Sequence, residues 1–65
     1  MYAVFKLHGK VYLDYCFMAQ DGLYHFMKED PDLQKDRMYF IHKKNILGTG
    51  QNKQELKLKF AEHFI

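Results

Sequence analysis

The residues best equipped for chemistry are one cysteine, four histidines and a group of lysines. Cys16 could act as a nucleophile with His25 or His8 as its base, but a reactive thiolate needs a lowered pKa and an oriented partner. Cysteines in the middle of strands are mostly small buried hydrophobes. His8, His25, His42 and His63 are widely spaced, and no Cys/His spacing makes a zinc site. The paired carboxylates of the Asp30-Asp32 region are accounted for by helix capping around Pro31. Gly48-Thr49-Gly50 ahead of a helix could turn backbone N–H groups toward an anion. The phosphate-loop pattern is absent, however, and a strand-to-helix connector accounts for both glycines. The expectation is a non-enzymatic protein with no cofactor, metal or small-molecule substrate.

Charge offers a second kind of chemistry. Residues 1–34 carry three lysines against five acids, whereas residues 35–65 carry seven basic side chains against three acids. Lys43, Lys44, Lys53, Lys57 and Lys59, with Arg37 nearby in sequence, could track a phosphate backbone while Tyr39 stacks on a base. Lysine runs are more often solvated helix faces. A formal net charge of +2 and a single arginine are modest for a nucleic-acid binder.

The elements that position these residues must come from a short chain. With 65 residues, 48% hydrophobic and 17% aromatic, it has the apolar content of one small folded domain rather than a disordered segment. Small domains have little core to draw on, so six Phe, five Tyr and four Met supply large buried areas or a partner-facing surface. No apolar run exceeds the five residues from Tyr15 to Ala19, too short for a membrane span or a secretory leader, which points to a cytoplasmic protein.

The first 28 residues have strand character, with turns at His8-Gly9-Lys10 and Asp21-Gly22. A three-residue loop at the first turn sets Leu7 opposite Val11, and a two-residue loop at the second sets Phe17 opposite Phe26. One face then carries Ala3, Phe5, Leu7, Val11, Leu13, Tyr15, Phe17, Tyr24 and Phe26. The other carries Tyr2, Val4, Lys6, Tyr12, Asp14, Cys16, Met18, His25 and Met27, which puts Cys16 and His25 together. That second face is greasier than ordinary surface, and a curling barrel, a dimer or a partner could cover it.

Asp30-Pro31-Asp32 predicts a single helical turn, and residues 37–42 return to strand. Ile46-Leu47 allows a short fifth strand, and Gly48-Thr49-Gly50 ends the sheet. Asn52 with Glu55 forms a capping-box pattern, and Leu56, Phe60 and Phe64 recur every fourth residue beside Ala61. Residues 55–60 also alternate as a strand would, but the cap and the Lys/Glu content favour a helix. The resulting expectation is a single α+β domain over 1–65. It has an antiparallel sheet of four to five strands (about 2–8, 11–18, 23–28, 37–42) and a C-terminal helix (about 52–64) packed on one face.

At the level of fold this arrangement resembles small SH3-like or Sm-like barrels, which bind protein or nucleic acid; the resemblance carries no site residues. A very short chain rich in Lys, Tyr and Phe would suit a phage-encoded inhibitor or regulator. The functional expectation is a binding protein that occupies a surface of a larger protein, or pairs with itself, through Tyr12, Cys16, Met18, His25 and Met27. The alternative is a nucleic-acid-binding barrel that uses the lysines and Tyr39.

Overall fold

Two tight turns organise the N-terminal half of the chain. In the computed structural model, which describes residues 1–30 and 35–64, His8 (φ 52°) and Gly9 (φ 79°) make the first turn, and Asp21 (φ 53°) and Gly22 (φ 77°) make the second. Positive φ at both central residues matches the twist of the flanking strands, and His and Asp tolerate it better than most residues. β1 (Tyr2–Leu7), β2 (Lys10–Gln20) and β3 (Leu23–Asp30) follow from these hairpins. Then come β4 (Lys35–His42), a 3₁₀ turn (Lys43–Asn45), β5 (Ile46–Gly50), helix α1 (Lys53–Lys59) and a second 3₁₀ turn (Ala61–His63). All pairings are antiparallel, in the order β4-β3-β2-β1-β5.

The expected α+β architecture is present, but two local features change which residues share a face. The first turn has two residues rather than three, because His8 takes positive φ and Lys10 joins β2 opposite Leu7. Phe5 is therefore opposite Tyr12, and Ala3 is opposite Asp14. This one-residue slip sends Val11, Leu13 and Tyr15 to the face opposite Phe5, and brings Tyr12, Asp14 and Cys16 to its side. The second feature is a β-bulge in β2: Cys16 pairs with Phe26 and Met18 with His25, leaving Phe17 without a cross-strand partner. The bulge resets the alternation, so Met18 and Cys16 lie on opposite faces.

The inner face forms the core. Ala3, Phe5, Cys16, Phe26 and Ile41 are buried together, with Tyr12, Tyr24, Tyr39 and Ile46 packed against them. β1 and β4 are separated by two strands, which in a flat sheet would place them about 14 Å apart. The rings of Phe5 and Tyr39 nevertheless lie 6.3 Å apart, so the sheet curls strongly around this cluster. Only the three residues of the first 3₁₀ turn join β4 to β5, the two edges of the sheet. The sheet is drawn together at that end without closing into a barrel.

β5 runs further than expected and includes Gly48-Thr49-Gly50. β2, β3 and β4 are also longer than their sequence patterns implied, while α1 is shorter. Asn52 caps α1 as anticipated, its Oδ1 accepting from the Glu55 N–H at 3.1 Å. The helix stops at Phe60 and gives way to the second 3₁₀ turn. The helical turn anticipated at Asp30-Pro31-Asp32 lies outside the described residues apart from Asp30, which closes β3. Among the described residues, no helix is long and apolar enough to cross a membrane.

Candidate functional site

The outer face of the sheet is covered at one end and bare at the other. Helix α1 packs on β1 and β5, where Val4 and Leu56 are buried. Glycines permit this approach: a Cβ on Gly48 would stand 2.6 Å from the Phe60 ring. Nothing comparable covers the second half of β2 with β3 and β4. There the register sets Met18, His25 and Phe40 in one row and Met27 beside Met38 in the next.

The side chains of this bare region are apolar and accessible. Met27, Met38 and Phe40 are each just over half exposed, and Met18 and Phe17 are each 43% exposed. With side chains of about 200 Å², these five present roughly 500 Å² of apolar surface, within the range of functional patches. His25 is the polar element at its centre. Its ring meets Phe40 edge-on at 4.7 Å and Phe17 at 6.0 Å, and its Nδ1 is buried without a hydrogen-bond partner. A buried polar atom left unpaired is costly, and this one lies out of a docking partner's reach unless the neighbouring Phe17 or Phe40 ring moves.

The five residues singled out from sequence divide between the two faces. Met18, His25 and Met27 belong to the exposed region. Tyr12 stacks on Phe5 at 5.6 Å in the interior, and Cys16 is 2% exposed. The Cys16 thiol donates to the Met18 carbonyl oxygen at 3.1 Å, and the bulge places its side chain on the face opposite His25. The proposed thiol–imidazole pair is therefore not assembled. His8, the other candidate base, sits in the exposed first turn.

Tyr39 likewise turns inward. Its ring stacks on Phe26 at 5.2 Å, and its hydroxyl donates to Asp14 Oδ2 at 2.9 Å. Burial, that hydrogen bond and the Asp14 charge push its phenol well above the ordinary tyrosine value. Lys43 and Lys44 are exposed in the first 3₁₀ turn, and Lys53, Lys57 and Lys59 are exposed on α1. At about 100° per helical residue, Lys53 and Lys57 share one flank, while Lys59 lies on the other with Glu55.

Other features carry little chemistry. An open groove of about 360 Å³ beside α1 is lined by Gln54, Lys57, Leu58, Ala61 and Phe64, which include no acid–base pair. Among the described residues, no three His, Cys, Asp or Glu side chains converge as metal ligands would. Phe17, Met38 and Phe40 were not singled out from sequence. The available signal was the uninterrupted run Met38-Tyr39-Phe40-Ile41, in which both faces of one strand are apolar. No family model matches the chain, and no curated protein or solved structure matches it.

Proposed function

We propose that this is a non-enzymatic binding protein that acts as an inhibitor or regulator by occupying a surface of a larger protein. The docking surface is the outer face of β2, β3 and β4, centred on His25 and bounded by Phe17, Met18, Met27, Met38 and Phe40. The observation that carries this reading is the contrast across one sheet face: α1 covers the β1–β5 end, and the β3–β4 end keeps about half of each large apolar side chain in water. Methionine and aromatic residues are enriched at interface centres and charges are depleted there, which is the composition of this patch. The lysine-based alternative has weaker support, because Tyr39 is packed on Phe26 and the α1 lysines divide between two flanks.

The test is affinity capture from the native host extract with the wild-type protein and Met27→Lys, with and without nuclease. The reading expects a protein partner that survives nuclease and physiological salt and is lost with Met27→Lys. Capture that disappears with nuclease or falls steeply with salt would overturn it in favour of the lysines.

A further inference from the structure

β4 is an edge of the sheet: among the described residues it pairs with β3 and with nothing on its other side. Edge strands in monomeric proteins are protected by charge, proline, bulges or brevity. β4 is eight residues long, pairs with β3 without a bulge, and has no charge or proline from Met38 to Ile41. Three of its eight residues, Lys35, Asp36 and Arg37, are charged, and all three lie at its start, so the uncharged edge is the stretch from Met38 to Ile41.

The dimensions of the molecule point the same way. A folded monomer of 7.9 kDa is expected to expose about 4,400 Å², whereas this chain exposes 5175 Å². The excess of roughly 800 Å² belongs to the chain as a whole and is comparable in size to what one side of a standard protein–protein interface buries. The radius of gyration, 12.0 Å, also exceeds the roughly 11 Å expected for a compact chain of this length.

We infer that a second copy of this chain covers the β4 edge, the two β4 strands pairing antiparallel about a two-fold axis. Antiparallel pairing of one edge with itself is isologous and closes at two subunits, so it removes the exposed edge without propagating. The first 3₁₀ turn ties the C-terminal end of β4 to β5, so pairing uses the stretch upstream of His42. Directly opposed residues in an antiparallel pair share a face. Met38 and Phe40 of both copies therefore join one continuous outer surface across the axis, and Tyr39 and Ile41 stay inward. The dimer doubles the proposed docking face instead of covering it, and it forms whether or not a larger target exists.

Sedimentation of the purified full chain, without any target, tests the inference alongside amide exchange. The expected mass is twice 7.9 kDa, with successive β4 amides from Met38 to Ile41 all protected. Phe40→Lys puts a charge on the edge and should give a folded monomer by circular dichroism. Met27→Lys, one strand inward, should leave the dimer intact. A wild-type chain that stays monomeric at millimolar concentration, or a dimer whose alternate β4 amides exchange rapidly, overturns the proposal. Dissociation by Met27→Lys as readily as by Phe40→Lys also overturns it, because the copies would then meet face to face. The exchange measurement uses the wild-type protein and decides the matter even if Phe40→Lys does not fold.

Discussion

Gly48 lies directly beneath Phe60, with the ring occupying the space where any side chain on residue 48 would begin. The helix thus rests on the backbone of β5, and Gly48 acts as a spacer, not a flexible joint. Gly48→Ala forces either the ring or the helix to move, an overpacking cost of about 1–3 kcal/mol. Urea unfolding should show that loss in the wild-type background and a smaller one when Phe60 is already Leu. Equal losses in the two backgrounds would mean that the pair is not coupled.

The bond from Tyr39 to Asp14 ties β4 to β2 across the interior. Tyr39→Phe leaves Asp14 without this donor and should cost about 1–3 kcal/mol. The folded state also keeps the phenol protonated to higher pH than the unfolded chain does. That contribution is complete below about pH 10 and is lost as pH rises from there toward the folded-state value. Stability measured on either side of pH 10 should fall more steeply for the wild type than for Tyr39→Phe. Parallel pH profiles would count against the bond.

Much of this architecture is legible in the residues, and what is not has identifiable causes. Asp21-Gly22 marks its hairpin, and Asn52 with Glu55 marks the start of the helix, because both signals are local and depend on a few backbone groups. The division of side chains between faces is a parity property, so one residue changes everything downstream. His8 adopting positive φ shortened the first turn and exchanged Tyr12 for Leu13 beneath Phe5. The bulge at Phe17 then separated Cys16 from Met18 and His25. Neither event has a strong composition signal. The exposed methionines at 18 and 27 were recognisable because their position on the outer face survives both changes.

Cys16 should behave as a core residue. Its side chain is 2% exposed and its thiol is bonded to the Met18 carbonyl, so a reagent reaches it only when the strands open. Alkylation under native conditions should be slow and should accelerate with denaturant in step with unfolding. Rapid labelling near neutral pH, at the rate of the denatured chain, would return Cys16 to the list of nucleophiles.

Tyr12 and Met27 separate core from docking surface most cleanly, since the sequence pattern placed them on one face and the structure places them on two. Tyr12 stacks on Phe5, whereas Met27 is 54% exposed. Truncating a packed aromatic removes area and leaves a cavity, so Tyr12→Ala should cost about 2–4 kcal/mol, less than for a fully buried ring. In a domain of this size each kcal/mol shifts the melting temperature by about 4–8 °C. Met27→Lys removes little buried area and should change stability by no more than about 0.5 kcal/mol. Its effect belongs in binding, where a charge placed inside an apolar interface must be desolvated. Thermal melts and capture assays on the two variants should therefore give opposite patterns. Tyr12→Ala melts early, and what remains folded still binds. Met27→Lys melts like the wild type and does not bind. A Met27→Lys variant that unfolds would show that the outer face is interior, and the docking proposal would fail with it.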